Sequence, residues 1–186
     1  MDRIVPVFKC VVAALFLWAA NFSVSYAQDS ETAALLDKLR DPDLTNWEEV
    51  EQSIWQRWSE SGSPTADLLL ERGRKAMESE DWPLAIDHLT ALIDHVPDFA
   101  EGYNARATAY YQADLLGPAM NDIEATLALN PDHFGALMGL GLILEKVGLD
   151  EGALSAYRAV AAIHPHRPNL KDAIERLERN LGDATL

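Results

Sequence analysis

The sequence predicts an all-α fold, a solenoid of three stacked helix-turn-helix units with helices ahead of it and a capping helix behind. Three observations carry that prediction. Pro97, Pro131 and Pro165 recur at a fixed spacing of 34 residues, and a period in the range of 20–50 residues marks a repeat array. Other columns keep the same register: Ala85, Ala119 and Ala153; Leu89, Ile123 and Tyr157; and the small residues Gly73, Ala107 and Gly141. Between the prolines, apolar residues recur at three and four positions, as in Leu84, Ile86, Leu89, Leu92, Ile93 and Val96, the spacing of an amphipathic helix.

The chain opens on a segment that does not belong to the fold. Arg3 and Lys9 give a basic start, Val11 to Ala20 are uninterruptedly apolar, and Ser25-Tyr26-Ala27 has the small-x-small pattern that a signal peptidase accepts. The apolar run is shorter than the roughly 18 residues a membrane span requires. Residues 1–27 are therefore expected to be a signal peptide cleaved after Ala27, which implies a periplasmic or secreted protein. Uncleaved, the segment would instead anchor the chain to a membrane. Cleavage removes Asp2, Arg3 and Lys9 and leaves 13 basic against 29 acidic residues, a net charge of −16. Such a balance excludes nucleic acid as a partner, because each phosphate contact requires Lys or Arg, and disfavours anionic lipid. The single cysteine, Cys10, leaves with the leader, so no disulfide, cysteine nucleophile or Cys-based metal site follows.

Residues 28–64 read as a helical extension and link. Thr32 to Arg40 is a short amphipathic helix stopped by Asp41-Pro42, and Asn46 to Glu60 places Trp47, Val50, Ile54 and Trp58 at helical spacing beside Trp55. Ser61-Gly62-Ser63-Pro64 reads as a flexible link. Two readings of the tryptophan-rich helix stand open. It packs across the first repeat as a lid, or Trp47, Ile54 and Trp58 form an exposed face that docks a partner or a second copy, making a homo-oligomer possible.

Residues 65–167 hold the three units, 66–99, 100–133 and 134–167. Helices are expected near 66–79 and 83–96, 100–113 and 117–130, then 134–147 and 151–164, with breaks at Asp81, Gly117-Pro118 and Gly148. Pro83 and Pro118 fall where a helix begins and the missing N–H costs nothing. Small residues such as Gly73 and Ala85 allow paired helices to approach closely. Neither helix of a pair can bury its apolar face alone, so the units must stack. Behind them, in residues 168–186, Leu170, Ala173, Ile174, Leu177 and Leu181 form one stripe of a capping helix whose other side, including Lys171, Arg176 and Arg179, reads as solvated surface.

The runs Leu69-x2-Arg72-Gly73-x2-Ala76, Tyr103-x2-Arg106-Ala107-x2-Tyr110 and Leu137-x2-Leu140-Gly141-x2-Leu144, each closed by a proline at the shared period, resemble the tetratricopeptide repeat (TPR). Arg72 and Arg106 depart from the family's leucine and are expected to pair with carboxylates at the inter-helix contact. The resemblance implies a right-handed solenoid in which the first helix of each pair lines a concave groove. It places Asp67, Leu70, Arg74 and Met77 there in the first unit, Glu101, Asn104, Thr108 and Tyr111 in the second, and Gly135, Met138, Leu142 and Glu145 in the third. Of these, Leu70, Met77, Met138 and Leu142 suit apolar side chains, Asn104, Thr108 and Tyr111 a peptide backbone, and Arg74 a carboxylate. The family's carboxylate clamp for the C-termini of heat-shock chaperones is absent: Gly135 and Gly139 stand where its cations would sit, and Leu70 replaces another.

Chemistry is otherwise sparse. His88 and His95 can share a helix face, but two ligands do not fix a zinc ion, and His133, His164 and His166 fall near unit boundaries, so no metal and no cofactor is expected. There is no Gly-x-Ser-x-Gly elbow, no His-Glu-x-x-His and no phosphate-cradling loop. The glycines of Gly135 to Gly141 read as close helix packing within the third unit. The expected function is that of a non-catalytic scaffold outside the cytoplasm, holding a peptide or protein segment in its groove. A self-assembling structural role is the alternative; an unrecognised enzyme is the remote one.

Overall fold

The computed structural model describes residues 30–184. They form α1 (30–39), α2 (Trp47–Trp58), α3 (Pro64–Glu78), α4 (Trp82–His95), α5 (Ala100–Gln112), α6 (Leu116–Leu129), α7 (Phe134–Lys146), α8 (Asp150–Ile163) and α9 (Leu170–Ala184). All are helical, and the pairs α3/α4, α5/α6 and α7/α8 are the repeating units of an α-solenoid, closed by α9 against α8. Every helix of the three units begins and ends within two residues of its expected bounds. No helix among the described residues is long and apolar enough to cross a membrane.

Each pair is held by one large side chain set into one gap. In the first unit the Leu89 side chain fills the space beside Gly73, where a β-carbon would lie 2.6 Å from Leu89 Cγ. In the third, the Tyr157 ring does the same at Gly141, with a β-carbon 2.2 Å from Cε1. Ala107 and Ile123 share the equivalent layer of the second unit. The column of small residues in the sequence thus faces the column of large ones. Burial follows the same order, with one apolar cluster around Leu70, Leu89 and Leu92, one around Ala107 and Ile123, and one in the third unit.

The turns inside the units also repeat. Glu80, Asp114 and Gly148 adopt left-handed backbone with φ of 57°, 60° and 76°. After each, the N–H of Asp81, Leu115 and Leu149 donates to the carbonyl of Ala76, Tyr110 and Leu144 at 2.9, 2.9 and 2.8 Å. This is the Schellman closure, which satisfies carbonyls left over at a helix end. Only the third unit places glycine there. The expected break at Gly117-Pro118 instead lies within the first turn of α6, where proline is tolerated.

Two departures change the architecture. The link before α3 is not loose: Ser61 donates from its backbone N and Oγ to Asp67 Oδ1 at 2.9 and 2.5 Å, and Ser63 caps α3. And α2 is a lid on the third unit, not the first. Val50 and Ile54 of α2, with Leu36 and Leu39 of α1, join one cluster with Phe134, Tyr157, Val160 and Leu177. The amphipathic stripe requires that α2 bury a face but does not say against what.

Candidate functional site

The face built by α3, α5 and α7 carries the residues expected to line the groove, and the structure divides them in two. At its proximal end stands Glu101, in the first turn of α5 and only 3% exposed. A carboxylate so buried must be matched by donors. It accepts from Arg74 Nη2 at 2.6 Å and Asn104 Nδ2 at 2.9 Å, and lies 3.1 Å from His133 Nε2. His133 Nδ1 accepts the Ala136 N–H at 3.1 Å and caps α7, so the ring proton sits on Nε2 and is donated to Glu101. Arg74 is thereby neutralised within the chain, contrary to its expected service to a ligand carboxylate, and Asn104 is engaged with it. Leu70 is buried in the first unit's core and Met77 packs against that core.

Over this end lies α2. The Trp58 ring stacks on His133 at 4.3 Å between centroids, and Trp55 meets Phe134 edge-on at 5.3 Å. Gly135 is the floor beneath Trp55, because a β-carbon there would lie 2.5 Å from Cη2 of the indole. The glycine expected to serve packing within the third unit serves α2 instead. Trp47 stacks on His166 at 5.9 Å, Arg167 binds Glu51 at 2.5 Å, and Arg40, in the turn after α1, reaches Asp132 at 3.1 Å. Ile54 is wholly buried. The face of Trp47, Ile54 and Trp58, which the second of the two readings offered to a partner or a second copy, is turned onto this chain's own array.

The distal half is open. Tyr111, Met138, Leu142 and Glu145 meet Leu170, Ala173 and Arg176 of the capping helix around a cavity of about 480 Å³. A smaller cavity of about 180 Å³ continues from it past Asn104 and Thr108. Its floor is apolar, and Leu142 stays 41% exposed. Thr108 is exposed, its hydroxyl donating to the Asn104 carbonyl. Glu145 accepts from Arg176 and, at 3.1 Å, from the Tyr157 hydroxyl. The Arg176 hydrogen bond holds the Glu145 carboxyl below its usual range, while burial and then Glu145 push the Tyr157 phenol up. Lys146 Nζ lies 2.5 Å from Asp114 and 5.2 Å from the Tyr111 ring centroid. Sequence reasoning missed Tyr157, Lys146 and Arg176. Tyr157 stood in a core column, and Arg176 sits on the side of α9 expected to be solvated surface, whereas it reaches back to the groove.

Of the two arginines that replace the family's leucine, Arg106 does pair as expected. Its Nε and Nη2 bind both oxygens of Asp122 at 2.7 and 2.8 Å, and Nη1 donates to Thr90. Arg72 is exposed, with no carboxylate partner among the described residues. No group of three or more metal-ligating side chains occurs among those residues.

Comparison with known proteins agrees with the geometry. The tetratricopeptide repeat signature matches residues 70–120 and 119–168. A TPR repeat-containing protein of Rhizobium etli is 35% identical over 146 residues, 78% of this chain and 71% of that one. Among solved structures, the first TPR of Spaghetti (RPAP3) bound to the HSP90 peptide SRMEEVD superposes with a TM-score of 0.62 at 24% identity, covering 64% of this chain and 95% of that one. The Sgt2 TPR domain of Aspergillus fumigatus gives 0.61 at 25% identity, covering 66% and 83%. These matches overturn the expectation of a periplasmic or secreted protein: among the TPR domains that the chain resembles is one solved with an HSP90 peptide bound. The leader on which that expectation rested, 1–27 with its cleavage after Ala27, lies outside the described residues, as does Cys10.

Proposed function

We propose that the chain, a member of the tetratricopeptide repeat family, is a non-catalytic protein-interaction module that seats a segment of a partner in the distal half of its inner face. The observation that carries this reading is the open, apolar-floored cavity between Tyr111, Met138 and Leu142 and the capping helix. Binding clefts combine such floors with a few placed polar groups; here these are the Glu145 carboxylate, the Arg176 guanidinium and the Thr108 hydroxyl. The likeness to a TPR domain solved with a bound peptide supports the reading. The proximal end is left out of this reading, because Trp55 and Trp58 of α2 pack there on Gly135 and His133.

Site-specific photocrosslinking tests it. A photoreactive phenylalanine analogue is placed at Leu142, in the groove, or at Leu84, exposed on the outer helix α4. Protein adducts are expected from position 142 in the native cell, absent from position 84, and reduced by Tyr111→Ala. Equal labelling at both positions, or none at 142, overturns the assignment.

A further inference from the structure

The distal groove has two features that together specify the chemistry of what it takes: every cation bordering it is already paired, and its floor is apolar. Resting on the reading of that groove as the binding site, we propose that its occupant is a cationic amphipathic segment lying through the groove, and not an acidic chain end.

An acidic chain end requires fixed N–H donors that are free to meet it. Among the described residues the cations bordering the cavity are Lys146 and Arg176, and each is taken: Lys146 by Asp114 at 2.5 Å, Arg176 by Glu145. A ligand carboxylate has to break one of these pairs and then face the carboxylate left behind. Further along the groove, the nearest cation is Arg74, which is held by Glu101 under α2. A strand end also cannot run out proximally, because Trp55 is seated on Gly135. A cationic ligand meets the opposite situation. The Asp114 carboxylate is 77% exposed beside its lysine, open on its remaining side to a second cation. The Tyr111 ring already holds one ammonium over its face, a contact that favours cations generally. The chain carries 30 acidic against 15 basic residues, a net charge of −15, so its long-range field draws cationic partners in and turns acidic ones away. Beside these charges the exposed Leu142 and the half-buried Met138 present apolar surface that a cation does not cover. The matching ligand has an apolar stripe for Leu142 and Met138, flanked by Lys or Arg at helical spacing.

Fluorescence anisotropy on the full chain decides it with three labelled probes. One is an end-blocked peptide of roughly 14 residues with Leu on one helical face and Lys on the other. The second has the same composition scrambled to break the stripe. The third is SRMEEVD with its free carboxylate. The patterned peptide is expected to bind about tenfold more tightly than the scrambled one and to lose about tenfold on Leu142→Ala, an exposed position whose truncation spares the fold. SRMEEVD is expected not to bind. If SRMEEVD binds as tightly as the patterned peptide or more so, the ligand class is wrong while the groove's function stands. Equal binding of the patterned and scrambled peptides, or no effect of Leu142→Ala, reduces the interaction to bulk charge and overturns the proposal. If neither peptide binds while position 142 still crosslinks partners, this inference fails alone; if crosslinking fails as well, the functional reading falls with it.

Discussion

The edge of the Trp55 indole occupies the place where a β-carbon on Gly135 would be, 2.5 Å from Cη2. Glycine inside a helix ordinarily costs about 1 kcal/mol relative to alanine, so Gly135→Ala on α7 would stabilise an isolated helix. Here the sign reverses. Overpacking against the indole is expected to destabilise the protein by about 1–3 kcal/mol in urea unfolding, with a red shift in tryptophan emission as α2 loosens. In a Trp55→Ala background the same change should be neutral or stabilising. A Gly135→Ala variant as stable as the parent would mean that the α2 docking described above is wrong.

Glu80 and Gly148 occupy equivalent turns, yet only one is glycine. A non-glycine residue in left-handed backbone carries a strain of about 1–2 kcal/mol, offset in part because glycine loses more freedom on folding. Glu80 is exposed with φ of 57°, so Glu80→Gly is expected to stabilise by about 0.5–1 kcal/mol, and Gly148→Glu to destabilise by a similar amount. Thermal unfolding of the two variants reads both signs. The opposite pattern would remove the Schellman closure as the reason these turns repeat.

Arg106 and Asp122 form a bidentate pair with Asp122 only 6% exposed. Arg106→Leu restores the residue typical of the family, yet it leaves a buried carboxylate unmatched and is expected to cost about 3–5 kcal/mol. Converting both, Arg106→Leu with Asp122→Leu, should recover most of that loss, since well-packed apolar pairs replace buried ion pairs with little penalty. Denaturant unfolding of the cycle measures the coupling. Additive losses would show that the two side chains act independently.

His164 is wholly buried against Trp47 and Phe134, and neither ring nitrogen has a hydrogen bond among the described residues. Burial lowers its pKa below the ordinary 6.5, with Glu51, 3.4 Å from Nε2, opposing only part of that shift. The unfolded chain therefore takes up this proton first as the pH falls, and stability follows the form that binds fewer protons. The contribution of neutral His164 is complete above about pH 6.5 and is lost as the pH drops from there through the folded-state value. Urea midpoints measured from pH 7.5 to 5 should fall more steeply for the parent than for His164→Leu, whatever their absolute stabilities. Parallel slopes would exclude His164 as a source of acid sensitivity.

Much of the array was legible because its determinants are local. The prolines at 97, 131 and 165 and the facing columns of small and large residues are read directly, since each unit repeats one packing problem and contacts only its neighbours. The Gly73–Leu89 and Gly141–Tyr157 contacts are those columns realised. Arg106 was flagged for the same reason: a charge in an apolar column demands a partner nearby. The turns were half legible. Gly148 marks the left-handed position in the third unit, and the period carries it back to Asp114 and Glu80, whose side chains give no such hint.

The groove was harder. Position along a repeat places Tyr111, Met138 and Leu142 on the inner face, but it does not reveal that Arg74 and Asn104 are consumed by Glu101 or that Arg176 arrives from the cap. The Arg74–Glu101 and Arg176–Glu145 contacts join separate helices, 27 and 31 residues apart in the chain, and Asn104 meets Glu101 within α5 only because Arg74 and His133 have already fixed that carboxylate.

By itself, the sequence determined the helices, their pairing and the order of the stack, because hydrophobic period and close-approach residues act over a few turns of chain. Tertiary structure alone decided where α2 lies, and with it which half of the inner face stays open. An amphipathic stripe specifies that a face must be buried and leaves its partner unspecified; the choice fell to shape, with one indole fitting over the gap at Gly135 and three histidines on two turns, His133 and then His164 with His166, packed against its neighbours.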